Sequence, residues 1–388
     1  MPRAPHVSPT SEGLSSSVFQ ALRTRASRHA GRVHPLHVGD TWREPPECAR
    51  AETLTTAAHP MIHAYATTHG EPALLDAIER RLASRGRAVA REAIQIVSGA
   101  TSGLSAACQT LLDPGDEVII PTPCWPLIPG IVRSRGAVVV EAPVMTRLRE
   151  PGFDLEAALE SFVTARTSAI YVNTPHNPTG RILTTGELDA IVRVARRNDL
   201  WILADEVYED LWFAQAPPPA LWQREDAHDR TISTHSVSKA YGMAGARVGW
   251  THGPASVIRP LRAVYTQQVY CAPRPMQVLA SRALDAGGAW LEETRRHYED
   301  AAQRCARSLS LPVPESGAFL FFDARPWLAK DGDLLPFLER CLDAGVLLTP
   351  GSACGRDFST WARLCYTSVP PADLDDALDR LAGVMSAG

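Results

Sequence analysis

The chain has 388 residues, 45% of them apolar and 21% charged, which is ordinary for a soluble globular protein of two or three domains. Its formal net charge of −4 gives no reason to expect nucleic acid or an anionic membrane as a partner, and no apolar run approaches a membrane span in length. The 8 cysteines and 12 histidines show no metal-binding or disulfide spacing, so we expect no metal site and a reducing cytoplasm.

Short apolar runs alternate with amphipathic stretches along most of the chain. Residues 73–85 predict a helix with one apolar face, and Gly86 stands where a C-terminal cap belongs. A second helix is predicted over 101–112, and Thr184 with Glu187 forms a capping box that predicts the start of a third. The predicted strands are short and nearly all apolar, as expected when helices cover both faces of a sheet. They comprise residues 94–97, 117–121, 137–141, 169–173, 200–206 and 230–237.

This alternation predicts an α/β fold, with a three-layer α/β/α large domain around a mainly parallel sheet and a smaller α+β domain. After about residue 280 the pattern changes to a long helical stretch and scattered strands. The elements predicted there are strands over 317–323, 346–348 and 361–367 and a helix over 334–344. We expect three parts: an N-terminal arm and segment packing with the small domain (1–45), the large domain (46–280) and the small C-terminal domain (281–388).

Four groups of polar or glycine residues come directly after predicted strands. They are residues 99–101, 173–180, 205–208 and 236–239. In sheets of this type, ligands bind at the carboxyl ends of the strands. The placement of the four groups therefore predicts one ligand site at this edge of the sheet.

Lysine is almost absent from the chain. Of the 39 lysine and arginine residues, only Lys239 and Lys330 are lysines. Arginine stays protonated, whereas a lysine amine can lose its proton and attack a carbonyl. A lysine retained in such a chain suggests a task that arginine cannot perform. Lys239, which closes one of the groups at the strand ends, therefore points to a Schiff base with pyridoxal phosphate.

Pyridoxal phosphate also needs a cradle for its phosphate. Gly99, Ala100 and Thr101 lie between a strand and a helix, where backbone N–H groups and the helix dipole form an anion site. Ser236 and Arg247 flank the lysine and can add a hydroxyl and a bidentate guanidinium. Taken alone, a glycine at a strand–helix junction is more often a tight turn.

The cofactor ring needs a carboxylate at the pyridine nitrogen and a planar partner on its face. Asp205 ends an apolar strand and is the candidate for the nitrogen, although an isolated aspartate there is often a helix cap. Tyr208 and Asn177 can both bond the phenolate oxygen of the ring. Trp125 can stack on the ring, although without the other motifs it would more often be a core residue.

Together these motifs resemble the class I/II aminotransferase family, whose members have the fold-type I architecture of pyridoxal-phosphate enzymes. The spacing also agrees, with 28 residues from Asn177 to Asp205, 34 on to Lys239 and 8 more to Arg247. The resemblance covers roughly residues 35 to 385. The motifs that carry it are NTPHNPTG (Asn173–Gly180), DEVY (Asp205–Tyr208), SVSK (Ser236–Lys239) and RVGW (Arg247–Trp250).

The resemblance implies a role for each motif residue. Lys239, Asp205 and Tyr208 would be catalytic, and Lys239 would form the Schiff base and move the substrate proton. Tyr65 would reach the phosphate bound by the partner subunit, which implies a homodimer with shared active sites. Arg363 would hold the α-carboxylate of the substrate. The implied cofactor-binding set is Tyr65, Gly99, Ala100, Thr101, Trp125, Asn177, Asp205, Tyr208, Ser236, Ser238, Lys239 and Arg247.

The implied substrate-binding residues are Gly39, Trp42, Asn177 and Arg363. Trp42, together with Phe319, favours an aromatic or apolar substrate side chain. The alternative is an acidic side chain received by Arg274, although a surface or structural role fits that arginine better. The sequence also departs from the family pattern at His176, often Asn, and at Cys354, commonly Phe. Cys354 is expected to be a packing change rather than a reactive thiol.

The resemblance implies transamination, in which the amino group of an L-amino acid moves to a 2-oxo acid during amino acid metabolism or biosynthesis. An alternative keeps the cofactor but eliminates a β- or γ-substituent, or cyclises the substrate. A third interpretation is an effector sensor fused to a DNA-binding module. Residues 1–40 are too short and irregular to form such a module.

Overall fold

Two β-sheets organise the chain, one of seven strands and one of three. The computed structural model describes residues 5–8, 11, 14, 22, 25–214, 216–329 and 332–386. The large sheet contains β1 (Ile94–Val97), β2 (Glu117–Pro121), β3 (Val138–Ala142), β4 (Thr167–Asn173), β5 (Trp201–Asp205), β6 (Thr231–Ser236) and β7 (Gly249–His252). The small sheet contains β8 (Phe319–Asp323), β9 (Thr349–Pro350) and β10 (Trp361–Cys365).

The strand order of the large sheet is β1-β7-β6-β5-β4-β2-β3. Strands β3, β2, β4, β5 and β6 are parallel, whereas β7 is antiparallel to both of its neighbours. Since β1 and β6 are both antiparallel to β7, β1 runs in the same direction as the parallel strands. The carboxyl ends of six strands therefore meet at one edge, which is where this class of sheet binds ligands.

Helices cover both faces of the large sheet, as the apolar strands predicted. Along β4, Ala169 and Tyr171 belong to one buried cluster, and Ile170 and Val172 belong to another on the opposite face. From residue 72 onwards the described α-helices are α1 (Pro72–Ser84), α2 (Gly99–Leu111), α3 (Ile128–Arg133), α4 (Leu155–Glu160), α5 (Thr185–Arg197), α6 (Val237–Ala240), α7 (Ala255–Val269), α8 (Arg274–Ala286), α9 (Gly288–Leu309), α10 (Leu335–Asp343) and α11 (Pro371–Ser386). This architecture confirms the predicted α/β fold.

Several strand boundaries agree with the sequence prediction, and others do not. The strands over 94–97 and 117–121 are confirmed to the residue. Strand β7 was not predicted, because its sequence GWTH contains no apolar run. The strand predicted over 346–348 is wrong: β9 begins at Thr349, and Val346 makes only an isolated bridge to His34. A segment that pairs with an irregular N-terminal stretch forms no continuous ladder, whatever its apolar content.

The N-terminal segment packs beside the small sheet. The amide of His34 donates to the Gly345 carbonyl (2.8 Å), and the His34 carbonyl accepts from the Leu347 amide (3.1 Å). The amide of Cys365 donates to the Leu36 carbonyl at 2.7 Å. These contacts support the predicted association of residues 1–45 with the small domain, and the three domain limits stay a prediction. Within the described ranges, no helix combines the length and apolar character that a membrane span requires.

Helix α5 begins with the predicted capping box. The amide of Glu187 donates to Thr184 Oγ1 (3.3 Å), and the Thr184 amide donates to Glu187 Oε2 (2.7 Å). We expect Thr184→Ala to lower the free energy of unfolding in urea by about 1 kcal/mol, because one N-terminal amide loses its partner. Thr185→Ala, at the next exposed position, should have a much smaller effect. Equal effects of the two changes would contradict the capping role.

Candidate active site

One cavity lies at the carboxyl edge of the large sheet, where it faces the small sheet. Most of the predicted site residues line it. They are Gly39, Ala100, Thr101, Trp125, Asn177, Asp205, Tyr208, Ser236, Ser238, Lys239, Arg247 and Arg363. The structure thus brings together residues that are up to 324 positions apart in the sequence, from Gly39 to Arg363.

Lys239 lies in the short helix α6, which begins directly after β6. Its side-chain amine donates a hydrogen bond to the Gly39 carbonyl. Burial lowers the pKa of Lys239, and the positive charges of Arg247 and Arg363 lower it further, whereas the charge of Asp40 opposes the shift. A lowered pKa increases the fraction of neutral amine, which is the form that attacks a carbonyl or accepts a proton.

Asp205 ends β5 and is almost fully buried. The hydroxyl of Tyr171 donates to Asp205 Oδ2 at 2.7 Å, and the Val207 amide lies 3.5 Å from Oδ1. Burial raises the pKa of Asp205 to about 6, against the opposing effects of the Tyr171 hydrogen bond and the positive charge of Lys239. A carboxylate in such a place is stabilised by a protonated partner across the cavity.

Arg363, on β10, is buried without a carboxylate partner among the described residues. Its Nη1 donates to Asn177 Oδ1 (3.0 Å), and its Nη2 donates to the His37 carbonyl (3.0 Å) and to Thr349 Oγ1 (3.2 Å). Its guanidinium carbon lies 4.3 Å from the ring centroid of Phe319, and its Nε has no hydrogen-bond partner. A buried cation held only by neutral groups suits an anionic ligand.

Tyr208 lies on the same side of the cavity, on the turn that follows β5, and its ring meets the edge of Phe319 at 6.0 Å between centroids. Burial raises the pKa of the Tyr208 hydroxyl well above its ordinary range, so the group stays protonated near neutral pH. It is therefore a hydrogen-bond donor at the position where the sequence predicts a partner for the ring oxygen.

Another part of the cavity wall combines the start of α2 with Arg247 and two serines. Gly99 adopts φ +76°, and a Cβ there would lie 2.4 Å from Arg247 Nη2, so glycine allows the guanidinium to approach the helix N-terminus. Ser236 Oγ donates to Ser238 Oγ at 2.7 Å, and it also accepts from the Ser238 amide at 3.0 Å. Backbone amides, hydroxyls and a guanidinium together form a site suited to a phosphate.

The side of the cavity next to Gly39 is shaped by Phe319. A Cβ on Gly39 would lie 2.5 Å from the Phe319 ring, so only glycine allows this approach. Trp42 is not part of this wall. It lies in a separate surface groove, 6.3 Å from the His297 ring and 5.9 Å from the Arg43 guanidinium carbon. Its predicted contact with the substrate has no support within the single chain.

Two further predicted residues also lie away from the cavity. Tyr65 is 79% exposed and its ring meets the edge of Tyr270 at 4.8 Å between centroids. Arg274 forms an ion pair with Glu71 (Nε to Oε1, 3.2 Å) and donates to the Met61 carbonyl at 2.9 Å. Arg274 therefore has a structural partner already.

The departures from the family pattern are both buried packing positions. The His176 ring lies 2.8 Å from Thr179 Oγ1, and burial lowers the pKa of His176 to about 3. Cys354 is fully buried, and burial raises the pKa of its thiol to about 11, which disfavours the reactive thiolate. The expectation that Cys354 fills space rather than reacts agrees with this environment.

Sequence reasoning missed Tyr171, the hydrogen-bond partner of Asp205. A signal existed, because Tyr171 and Asn173 alternate along β4, and Asn173 pairs with Asp205 in the parallel register of β4 and β5. Tyr171 lies two residues before Asn173 on the same face of β4. Its side chain can therefore reach the Asp205 carboxylate. Because the residues next to Tyr171 in the sequence are apolar, Tyr171 resembles an ordinary core residue when only the sequence is known.

The protein is thus of the α/β class, with a mainly parallel sheet, helices on both faces and a ligand-sized cavity at the strand ends. Residues 33–381 match the model of the family described as aminotransferase class I and II. The chain is 31% identical over 364 residues to an aspartate aminotransferase of Musicola paradisiaca, covering 91% of this chain and 90% of that protein. It is 35% identical over 311 residues to the arginine–pyruvate transaminase of Pseudomonas aeruginosa, covering 77% of each.

Solved structures agree with the sequence relatives. The Thermus thermophilus aspartate aminotransferase with maleate superimposes with a TM-score of 0.85 at 28% identity, covering 98% of this chain and 100% of that one. The N-succinyldiaminopimelate aminotransferase of Mycobacterium tuberculosis gives 0.87 at 27% identity with the same coverage. The chain belongs to the class I and II aminotransferase family, and it is an enzyme of that kind.

The unpaired charge of Arg363 gives the first prediction about the site. We expect Arg363→Gln to lower kcat/KM for an amino acid by about 10²-fold, because an ionic bidentate contact of about 3 kcal/mol is lost. Most of the change should appear in KM. Arg325→Gln, at an exposed arginine paired with Asp323, is the matched control and should leave kcat/KM unchanged. Equal values for Arg363→Gln and the control would contradict the role of Arg363.

Proposed function

We propose that this aminotransferase uses pyridoxal 5′-phosphate to move the amino group of an L-amino acid to a 2-oxo acid. One observation carries the proposal: a lysine amine of lowered pKa, a buried carboxylate and a buried guanidinium line the same cavity, and the guanidinium has no ionic partner among the described residues. Each of these groups is costly to bury alone, and each matches one part of the cofactor or the substrate.

The residues present fit the cofactor. The start of α2, together with Ser236, Ser238 and Arg247, would hold the phosphate, and Asp205 would pair with the ring nitrogen. Trp125 lines the cavity and would face the ring. When bound, pyridoxal phosphate supplies a carbonyl that condenses with an amine and a ring that stabilises negative charge on the substrate α-carbon.

The protein's own groups then define the reaction. Arg363 would bind the α-carboxylate and so orient the α-hydrogen of the substrate. Lys239, with its lowered pKa, would take the proton from the substrate α-carbon as a general base. It would then deliver that proton to the carbon on the other side of the substrate nitrogen. The hydroxyl of Tyr208 and the amide of Asn177 would donate hydrogen bonds to the ring oxygen. Burial of these donors strengthens such bonds, because little water competes for them.

We further propose that the enzyme is a homodimer with shared active sites. Met61 is 71% exposed, Tyr65 79% and Tyr270 48%, which is unusual for large apolar side chains that lie near one another. A second copy covering this surface would bury these side chains, and it would bring Tyr65 towards the phosphate of its partner. The expected setting is cytoplasmic amino acid metabolism or biosynthesis, without nucleic acid or membrane partners.

For the substrate, we propose an L-amino acid with an aromatic or apolar side chain. Phe319 supports this choice because it forms the wall beside Gly39. The relatives named above act on aspartate, arginine and N-succinyldiaminopimelate, whose side chains differ in charge, so they favour no single class. An acidic side chain would need a free cation, and Arg274 is already paired with Glu71.

The pairing of Arg274 leads to a testable expectation. We expect Arg274→Ala to leave the ratio of kcat/KM for L-aspartate and L-phenylalanine unchanged, because the arginine serves Glu71 rather than a substrate. The measurement is steady-state transamination with each amino acid and 2-oxoglutarate. A selective loss of the aspartate rate would instead establish an acidic-substrate pocket built around Arg274.

The proposed role of Lys239 is tested by two substitutions with the same expected result. Lys239→Ala removes the amine, and Lys239→Arg keeps the positive charge but cannot readily lose a proton. We expect both to lower the rate of transamination by on the order of 10³-fold or more. If Lys239→Arg retained normal turnover, the amine would not be the proton carrier and the proposed function would be wrong.

A further inference from the structure

Tyr171 is a fully buried residue of β4 whose hydroxyl points at the ligand cavity's only described carboxylate. It is 1% exposed, and its hydroxyl donates to Asp205 Oδ2 at 2.7 Å. The parallel register pairs Asn173 with Asp205, and Asn173 Nδ2 donates to the Asp205 carbonyl at 2.7 Å. Alternation along β4 places Tyr171 and Asn173 on the same face. Side chains of β4 thus donate hydrogen bonds to both the backbone carbonyl and the side-chain carboxylate of Asp205.

The two oxygens of the Asp205 carboxylate have unequal surroundings. Oδ2 is occupied by the strong bond from Tyr171, whereas Oδ1 has only the Val207 amide at 3.5 Å, the outer limit of a hydrogen bond. A carboxylate oxygen has room for more than one donor. Oδ1 is therefore the less satisfied of the two oxygens and has the greater capacity left for a donor in the cavity.

We propose that Tyr171 is a positioning residue, which anchors one oxygen of Asp205 and keeps the carboxylate charged so that its other oxygen meets a protonated ring nitrogen of the cofactor. The proposal rests on the function proposed above and deepens it. It assigns to Tyr171 the control of how strongly the ring withdraws electrons, although Tyr171 is not among the residues that line the cavity.

The electrostatics of the pair agree with this role. Burial raises the pKa of Asp205 to about 6, and the hydrogen bond from Tyr171 is the strongest influence that opposes the rise. The ionisable groups that face the pair from the neighbouring elements are His235, Lys239, Tyr208 and Cys124. Burial, together with the charge of Asp205, raises the pKa of Tyr171 well above its ordinary range. Tyr171 therefore stays protonated near neutral pH and remains the donor of this hydrogen bond.

Tyr171→Phe tests the proposal, because it removes one hydroxyl and leaves the ring in place. We expect the dissociation constant for pyridoxal phosphate to rise about tenfold, as for loss of one hydrogen bond to a charged group. The acid limb in the pH titration of the bound-cofactor absorption band should move to higher pH, because Asp205 loses its main support. The kcat should fall about tenfold, while KM for the amino acid changes little.

Tyr366→Phe is the matched control. Tyr366 is also 1% exposed, and its hydroxyl donates to the Ser316 carbonyl at 3.0 Å, away from Asp205. The Tyr366→Phe variant should lose about as much thermal stability as Tyr171→Phe. It should keep the cofactor dissociation constant, the pH titration and the kcat of the unaltered enzyme. If Tyr171→Phe behaved like this control in all three measurements, Tyr171 would be a core residue only and the proposal would be overturned.

A second replacement covers the case in which Tyr171→Phe does not fold. Incorporating 3-fluorotyrosine at position 171 keeps the shape and makes the hydroxyl a stronger donor, so the acid limb should move to lower pH. No movement of the limb would overturn the proposal. If the unaltered enzyme bound no pyridoxal phosphate at all, the proposed function would itself fail. If it bound the cofactor and neither replacement changed binding or the titration, only the role of Tyr171 would fail.

Discussion

The carboxylate of Asp205 is the constraint on which the site depends. A buried carboxylate is stable only with hydrogen-bond donors and positive charge close by. The fold supplies them from three adjacent parallel strands, with Tyr171 on β4, Asp205 at the end of β5 and Lys239 just after β6. The sheet order β6-β5-β4 is therefore also the order of the chemical groups.

The two arginines of the cavity, Arg363 and Arg247, differ from Asp205 in their surroundings. Neither has an ionic partner among the described residues. Arg363 is surrounded by carbonyl, amide and hydroxyl oxygens and by the Phe319 ring. Arg247 donates to the Ala244 carbonyl and lies against Gly99. A guanidinium kept from any carboxylate of its own chain retains its full affinity for an incoming anion. Two such groups in one cavity suit a phosphate and a carboxylate.

The sequence predicted the parts of this arrangement that depend on local order. Strand ends, the glycine at the start of α2 and the capping box of α5 each have a short-range signature, and the structure has all three. Contacts between distant segments have no such signature. Tyr171 resembles a core residue until the register of β4 and β5 is known. The buried pair His235–Glu209 (3.0 Å) likewise joins β6 to the turn after β5, across 26 residues of sequence. The predicted role of Trp42 in substrate binding stays a prediction, because it depends on contacts beyond the surface groove in which Trp42 lies.

The most direct test of the account follows one half of the reaction. The purified enzyme with bound pyridoxal phosphate is mixed with one L-amino acid and no oxo acid, while the cofactor absorption, the keto acid and ammonia are measured. The account predicts a single conversion of the cofactor to its amino form, with one keto acid released per site and no ammonia. Continued release of ammonia over many turnovers, with the cofactor absorption unchanged, would contradict it and establish a lyase or cyclase built on the same residues.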